Sequence, residues 1–368
     1  MTALSILDQA PMRVDGEPGH ALRDSLALVR HADALGFRRY WVAEHHAMDC
    51  VAASSPEIVI GHLAAVTARI RVGSGGVLLP NHRALHVAEQ FRTLEALHPG
   101  RIDLGVGRAQ GALDDATVRA LERSADAAHS GGFDEQLDEL LAFGGLTPLD
   151  ARHPLAGARA MPDDVPLPPV FLLGASEGSA ITAARRGLGY AFAGLINPDG
   201  AAAAIGRYRE LFAPAPGGGG AHVILAVRVY AAADDATAHI VASSGRLASA
   251  RNRLGRPARL LASTAASAHR WDAAELAAGV RMHQEADIIG GPERVHEQLH
   301  ELAEVTNADE LMVLSNTYDP SERREIYEIL AEVFDLAGQS AGLARPMSPA
   351  RAREPYDAPF AHEPREQR

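Results

Sequence analysis

The residues with the clearest capacity for chemistry lie in one short segment, WVAEHH at residues 41–46. An apolar strand pattern ends in this segment, and the carboxyl ends of the strands carry the active site in barrel enzymes. His45 is suited to act as a base, an acid or a hydrogen-bond donor near neutral pH. A histidine pair in this position can equally serve only to satisfy backbone groups of a loop.

A metal site formed by Glu44, His45, His46 and Asp49 is a second interpretation of the same segment. Consecutive side chains of a strand point to opposite faces, so His45 and His46 cannot readily bind one ion. No third histidine follows at the spacing of helical zinc motifs. We therefore predict no metal site, and we expect His46 to point away from His45.

Two glycine-rich strand ends are suited to lie against a ligand. In residues 73–80, GSGGVLLP, the adjacent Gly75 and Gly76 indicate either close approach by a ligand or a kink in the sheet. In residues 103–111, DLGVGRAQG, the glycine spacing differs from the dinucleotide-binding fingerprint. Arg108 is better suited to bind phosphate, because a guanidinium donates two hydrogen bonds to phosphate oxygens.

A further strand end leads directly into a helix at residues 172–180, LLGASEGSA. Ser176 or Glu177 lies at the helix N-terminus, where free backbone N–H groups favour an anion. The hydroxyls of Ser176 and Ser179 add donors, although an ordinary serine cap is the alternative interpretation. Because the helix dipole contributes only about 0.3–1 kcal/mol, Arg108 is needed to bind a phosphate firmly at this turn.

Short apolar runs alternate with amphipathic stretches along the chain, which is typical of repeated βα units. The pattern predicts strands at residues 4–7, 39–44, 70–78, 102–107, 170–173, 190–193, 223–230 and 311–315. It predicts helices at residues 20–35, 56–68, 84–97, 133–143, 177–187 and 320–336. Eight strands followed by helices predict a closed (β/α)₈ barrel of the α/β class. The short run Ile288-Ile289 is either a ninth strand or part of a loop.

Length and composition suit one large barrel domain. The chain has 368 residues, of which 47% are hydrophobic, and we assign residues 1–338 to the barrel. The intervals at about 111–169 and 234–291 are too long for simple connections and are predicted insertions, the second a candidate lid. Residues 339–368 are rich in Pro, Arg and Glu and are predicted to form a mobile tail.

Charge and cysteine content exclude several classes of protein. The net charge of −12 argues against a nucleic-acid-binding face, and no apolar run reaches the roughly 18 residues that span a membrane. Cys50 is the only cysteine, so we expect no internal disulfide and a cytoplasmic location. The chain has no lysine, which excludes a Schiff-base lysine and a phosphate-loop lysine.

In this order, these segments resemble the bacterial luciferase-like flavin-dependent monooxygenases. Within the family, the chain is most similar to the group typified by the mensacarcin-pathway polyketide epoxidase. The resemblance extends over nearly the whole chain, from residue 4 to residue 314. Its most specific segments are WVAEHH (41–46), IRVGSGGVLLPNH (70–82), AEQFRTLEALHPGRIDLGVGR (88–108) and IIGGPERV (288–295).

The resemblance implies a luciferase-like barrel that binds FMN at its C-terminal mouth. His45 corresponds to the family's catalytic histidine, which assists oxygen chemistry on the flavin. Gly75 and Gly76 correspond to a glycine pair that is joined by a cis peptide bond beneath the flavin ring. Gly107 stands where luciferase has a reactive cysteine, so light emission from a long-chain aldehyde is not expected.

The resemblance also matches Arg108, Ser176 and Ser179 to phosphate-binding positions. The cofactor-binding turn that we predict comprises Gly174, Ala175, Ser176, Glu177 and Ser179. Ala175 replaces an acidic residue of the family's turn, and Glu177 is a nearby candidate substitute.

We therefore predict an enzyme that uses reduced FMN and dioxygen to hydroxylate or epoxidise a small organic molecule, such as a polyketide natural product. A separate flavin reductase is the expected source of the reduced cofactor, and the resemblance implies a homodimer. Two alternatives stay open. One is a deazaflavin-dependent hydride transferase on the same fold, and the other is a non-catalytic flavin-binding subunit.

Overall fold

The computed structural model describes residues 2–109, 111–112, 114–121, 132–214, 219–256 and 258–338, so the predicted tail at 339–368 lies outside the described residues. The strands in these ranges are β1 (Ala3–Asp8), β2 (Arg39–Val42), β3 (Arg71–Ser74), β4 (Val77–Leu78), β5 (Ile102–Gly107), β6 (Val170–Gly174), β7 (Gly189–Ala193), β8 (Val223–Ala231), β9 (Ile288–Gly290) and β10 (Glu310–Leu314). The α-helices are α1 (Pro18–Leu35), α2 (Pro56–Ala65), α3 (Ala84–Leu97), α4 (Asp115–Leu121), α5 (Phe133–Phe143), α6 (Glu177–Arg185), α7 (Ala201–Leu211), α8 (Asp235–Arg253), α9 (Ser263–Ser267), α10 (Ala273–Arg281), α11 (Pro292–Thr306) and α12 (Pro320–Val333).

Eight parallel strands close into a ring. Their order is β1, β2, β3, β5, β6, β7, β8 and β10, and β10 pairs with β1 to complete the ring. The short β4 follows β3 along the chain and also pairs with β5, while β9 pairs with the C-terminal end of β8. The predicted (β/α)₈ barrel is therefore confirmed, and Ile288-Ile289 belongs to a strand.

Strands β1, β2, β6, β7, β8 and β10 contribute to two apolar layers, because successive side chains point to opposite faces of a sheet. In β2, Trp41 lies inside the barrel with Phe171 and Met312, whereas Tyr40 and Val42 belong to the larger layer beneath the helices. The rings of Trp41 and Phe171 meet edge to face, with centroids 5.1 Å apart. The barrel interior is therefore a packed core and not a pore.

A buried charged layer closes the N-terminal end of the barrel interior. Arg39 donates from Nε to Glu310 Oε1 at 2.7 Å and from Nη1 to Asp103 Oδ2 at 2.8 Å. Arg71 donates to the other oxygen of Asp103, and His222 Nε2 lies 3.0 Å from Glu310 Oε2. Burial alone would raise the pKa of Glu310, but Arg39 and His222 outweigh burial and lower that pKa to about 2. The charges of this layer neutralise one another, which compensates for their removal from water.

Local signals explain where several helices begin and end. Helices α1, α2, α11 and α12 have proline in their first turn, where the missing N–H costs nothing. Ser176, Asp272 and Asp319 cap α6, α10 and α12 through reciprocal capping boxes. α1 ends at Gly36, whose φ of 93° is a left-handed conformation that favours glycine. Within the described ranges, no helix combines the length and apolarity that crossing a membrane requires.

Two strands differ from the prediction at the mouth of the barrel. β2 ends at Val42. The N–H of Ala43 still donates to Asp8 O of β1, but His45 N–H donates to Ala53 O and His46 N–H to Gly111 O, each at 2.9 Å, so the chain has left the sheet by His45. The strand predicted at 70–78 is divided into β3 and β4, and the Gly75–Gly76 peptide bond between them is cis. The interval 234–291 contains α8, α9, α10 and β9, and the described part of 111–169 contains α4 and α5.

Candidate active site

A cavity of about 470 Å³ opens at the C-terminal ends of the barrel strands. Inward-pointing side chains, among them Trp41, Ala226 and Met312, form its apolar floor. The predicted site residues that line it are His45, Gly75, Gly76, Arg108, Gly174, Ala175, Ser176 and Ser179. The remaining predicted residue, Glu177, is exposed in the first turn of α6 and does not line the cavity. Glu177 therefore does not take the place of the acidic residue that the family has at the position of Ala175.

His45 lies on the loop that follows β2, where it lines the cavity. Its Nδ1 atom is fully buried and has no hydrogen-bond partner among the described residues. Burial lowers the pKa of the ring to about 4, so the ring is neutral at physiological pH. A neutral imidazole has one donor and one acceptor nitrogen. His45 can therefore exchange a hydrogen bond or a proton with a molecule in the cavity.

His46 points away from the cavity, as expected, although for a different reason. Its Nε2 lies 2.8 Å from Oε1 of the buried Glu44, and the ring does not line the cavity. Because β2 has already ended, this direction is set by the hydrogen bond to Glu44 and not by strand alternation.

The side chains of the metal-site interpretation do not converge on one point. His46 binds Glu44, whereas His45 faces the cavity. Within the described ranges, three side chains with metal-ligand atoms lie close together only at Glu135, Glu139 and His153, none of which lines the cavity.

The glycine pair is required by packing as well as by its position at the cavity. A Cβ atom at Gly75 would lie 2.6 Å from Cδ1 of Leu7, and one at Gly76 would lie 2.8 Å from the carbonyl oxygen of Gly105. At Gly76 the obstacle is backbone, so a side chain does not fit there, whereas at Gly75 the end of the Leu7 side chain would have to move. Both glycines also line the cavity, so the break in the strand and the approach to the cavity occur at the same place.

The turn before α6 is held rigidly by side chains on both sides. Ser176 caps the helix by accepting from the N–H of Ser179 at 3.3 Å, and Ser179 Oγ lies 3.0 Å from the hydroxyl of Tyr190. Asn197 donates from Nδ2 to the carbonyl oxygen of Ala175 at 2.9 Å. The serine cap is therefore real, and it leaves the first N–H groups of α6 at the cavity, where an anion is favoured.

Arg108 is an exposed cation at the cavity wall beside this turn. It forms no ion pair or hydrogen bond with any described residue, and the cavity also contacts Asp134, which pairs with Arg186 at 3.2 Å. Since Asp134 has its own partner, the guanidinium of Arg108 is available to an anion. Arg108 and the start of α6 therefore make up a candidate anion site at this cavity.

Several residues at the mouth were not predicted from the sequence. Gln9 follows β1, and its Oε1 accepts from Asn316 Nδ2 at 2.7 Å. Leu195 follows β7, and Phe133 begins α5 in the first insertion; with Gln9, both line the cavity. Extending the strand-end rule to every barrel strand would have indicated Gln9 and Leu195. No described residue of 234–291 lines the cavity, so the structure does not support a lid in that interval.

The features of the cavity fit a planar ring with a phosphorylated side chain. The apolar floor suits the ring, and the anion site suits the phosphate. The ring of His45 adds a neutral hydrogen-bonding group to the wall of the cavity. The residues present therefore fit FMN.

A closed (β/α)₈ barrel with candidate catalytic and binding groups at its C-terminal mouth has the arrangement of a barrel enzyme. The chain belongs to the family of luciferase-like monooxygenases, whose family model matches residues 2–310. It is therefore an oxidoreductase of the monooxygenase type.

Individual relatives cover nearly the whole chain. A luciferase-like monooxygenase of Escherichia coli is 36% identical over 90% of this chain and 96% of its own length. The N-acetyl-S-alkylcysteine monooxygenase of Bacillus subtilis is 34% identical over 90% of this chain and 98% of its own. The crystal structure of apo-MsnO8, the mensacarcin monooxygenase, is 38% identical, with a TM-score of 0.77 over 91% of this chain and 98% of that one. The predicted resemblance to this group is confirmed.

More distant structures share the fold alone. The oxygenating constituent of 3,6-diketocamphane monooxygenase from Pseudomonas putida, solved with FMN, is 18% identical with a TM-score of 0.65 over 90% of this chain and 97% of that one. An F420-dependent secondary alcohol dehydrogenase is 15% identical with a TM-score of 0.64 over 91% of this chain and 98% of that one.

Proposed function

We propose that this protein is an FMN-dependent monooxygenase that uses reduced FMN and dioxygen to hydroxylate or epoxidise a small organic molecule. One observation carries the proposal. A single cavity joins the neutral ring of His45 to the candidate anion site of Arg108 and the start of α6. The first group suits oxygen chemistry, and the second suits the phosphate of the cofactor.

The side chains of this cavity have distinct tasks. Arg108 and the N–H groups of the first turn of α6 that the serine cap leaves free would bind the phosphate, while Gly75 and Gly76 would support the ring. Bound reduced FMN would supply the electrons and activate dioxygen. His45 would hold or transfer a proton at the ring nitrogen that faces the cavity, and the apolar floor would exclude water from the reacting groups.

A separate flavin reductase is part of the proposal. The strand end that most resembles a dinucleotide fingerprint, residues 103–111, contributes Gly107 and Arg108 to the same cavity as His45. This strand end therefore does not form a separate site at which a nicotinamide cofactor could bind and reduce the flavin. We also propose a cytoplasmic homodimer and a barrel domain over residues 1–338.

The apolar floor favours an uncharged organic substrate, and the similarity to MsnO8 makes polycyclic polyketides the first compounds to test. Dioxygen consumption by the protein with a flavin reductase should increase when the correct compound is added. The oxygenated product should appear in step with that increase.

F420 is the competing cofactor, because an F420-dependent alcohol dehydrogenase shares the fold. Binding titrations with FMN and with F420 distinguish the two. We expect FMN to quench protein fluorescence at much lower concentration than F420. Tight binding of F420 alone would replace the proposed function with hydride transfer.

Replacing Arg108 by alanine should weaken FMN binding by about 1.5–3 kcal/mol, the usual contribution of a charge-assisted hydrogen bond. Riboflavin, which has no phosphate, should bind the variant and the wild type equally well. The measurement is a pair of titrations with FMN and riboflavin. Arg207→Ala is a matched control, because Arg207 lies on the surface of α7, pairs with Glu210 and does not line the cavity. Equal FMN affinity in Arg108→Ala and wild type would remove Arg108 from the phosphate site.

A further inference from the structure

The carboxylate of Glu44 is buried and takes no part in the proposed reaction. Its side chain is 0% exposed, and its oxygens contact three separate groups. Oε2 accepts from the backbone N–H of Leu78 at 2.8 Å, and Oε1 lies 2.8 Å from Nε2 of both His46 and His82. A buried carboxylate is costly unless such partners satisfy it. The carboxylate therefore keeps these groups together in the folded protein.

The segments that Glu44 joins are walls of the cavity. Leu78 belongs to β4, directly after the Gly75–Gly76 pair, and lines the cavity itself. His46 is adjacent to His45, and its backbone N–H donates to Gly111 O at 2.9 Å, in the segment that follows Arg108. One carboxylate thus connects the histidine loop to the glycine pair.

We propose that Glu44 is a positioning residue that holds His45 and the Gly75–Gly76 backbone in one fixed relation, so that the ring-binding end of the cavity is formed before the cofactor binds. This inference rests on the proposed flavin-binding function. A preformed site loses less conformational freedom on binding. Loosening the contacts of Glu44 should therefore weaken binding of the flavin ring, whereas loss of Arg108 affects only the phosphate.

The response to pH distinguishes the carboxylate of the wild type from the amide that a glutamine would place at this position. A carboxylate accepts hydrogen bonds from neutral and cationic imidazoles alike, whereas a glutamine NH₂ group facing the rings needs a nitrogen that accepts. The charged groups around His82 are Glu44 and, from α2, Glu57. Burial lowers the pKa of His82, but these two carboxylates outweigh burial and raise it. His45 does not titrate in the same range, because its pKa is about 4.

In Glu44→Gln, flavin binding should therefore weaken as the pH falls. Without the carboxylate, Glu44 no longer raises the pKa of His82, and only Glu57 still opposes the effect of burial. At the low end of the pH range, a cationic His82 ring would face the amide NH₂ group and separate the loop from β4. In the wild type, the same protonation strengthens the contact with the carboxylate, so binding should stay nearly constant.

The experiment measures riboflavin binding by fluorescence quenching between about pH 5.8 and 8.5 in the wild type, Glu44→Gln and Glu44→Asp. Riboflavin is the probe because it has no phosphate. The phosphate of FMN loses its second proton near pH 6, and this ionisation would itself change binding across the pH range. The ratio of Kd between Glu44→Gln and the wild type should rise from about threefold at high pH to about tenfold or more at low pH. Glu44→Asp retains the charge but is shorter, so its ratio should exceed one and stay independent of pH.

A Glu44→Gln ratio that is constant with pH, or equal to one, would overturn the role of Glu44 while leaving the proposed function intact. If Glu44→Gln does not fold, His82→Ala provides the second test, because it removes one of the contacts at a partly exposed position. Riboflavin binding should then weaken by about threefold, and unchanged binding would contradict the inference. A wild-type protein that binds neither riboflavin nor FMN would overturn the proposed function and this inference together.

Discussion

Replacing His45 by alanine is expected to lower oxygen transfer to substrate by roughly 10²–10⁴-fold, the usual contribution of a positioned acid or base. FMN affinity should change little, because the anion site at Arg108 and α6 lies on other strand ends. Release of hydrogen peroxide should increase, since reduced FMN would still meet dioxygen in the cavity. Product and peroxide measured side by side test the expectation.

His20→Ala is the matched control for this variant, because His20 is exposed on α1 and lines no part of the cavity. It should retain wild-type product and peroxide yields. Unchanged turnover in His45→Ala with intact FMN binding would favour the non-catalytic flavin-binding subunit. His46→Ala is not a neutral control, because His46 contacts Glu44.

The largest expected effect on stability belongs to Arg39, inside the barrel. Arg39→Ala would leave Asp103 and Glu310 buried without the cation that bridges them. Removing one partner of a buried ion pair destabilises a protein by about 3–5 kcal/mol. Lost packing of the guanidinium against Phe171, whose ring centroid lies 5.1 Å away, adds to this effect. Denaturant unfolding of the variant and the wild type measures the difference.

The neighbouring Arg38 provides the control for Arg39. Its side chain is 49% exposed, and its Nε lies 3.5 Å from Glu310 Oε2. An ion pair with a half-exposed guanidinium contributes at most about 1 kcal/mol. Because Arg39 and His222 still contact Glu310 in Arg38→Ala, this variant should unfold nearly as the wild type does. Equal losses in the two variants would show that the buried charged layer does not stabilise the barrel.

The barrel and the position of its mouth could be predicted because they depend on local patterns. The strand at 102–107 and the helix at 133–143 have the predicted bounds, since each is an apolar run or an amphipathic stretch between clear breaks. The site residues of the mouth follow from the rule that they come directly after strands. That rule, with the residue types, indicated His45, Arg108 and Ser176 without any knowledge of the fold.

Contacts between distant residues could not be predicted in the same way. Glu44 and His82 are 38 residues apart, and Arg39 and Glu310 are 271 apart, so no local pattern relates them. The departure of the chain from the sheet after β2 involves a hydrogen bond from His45 N–H to Ala53 O, which exists only once the loop has folded. The support of the α6 turn by Tyr190 likewise depends on tertiary packing.

The most direct test of the proposed function loads the protein with reduced FMN without oxygen, mixes it with aerated buffer and follows the absorbance. Reoxidation should pass through an oxygen-dependent transient that outlasts any seen with free reduced FMN, and His45→Ala should shorten it. Protein loaded with reduced F420 should give no such transient. Reoxidation at the rate of free flavin, together with hydride transfer from reduced F420 in the absence of dioxygen, would contradict the assignment as an FMN-dependent monooxygenase.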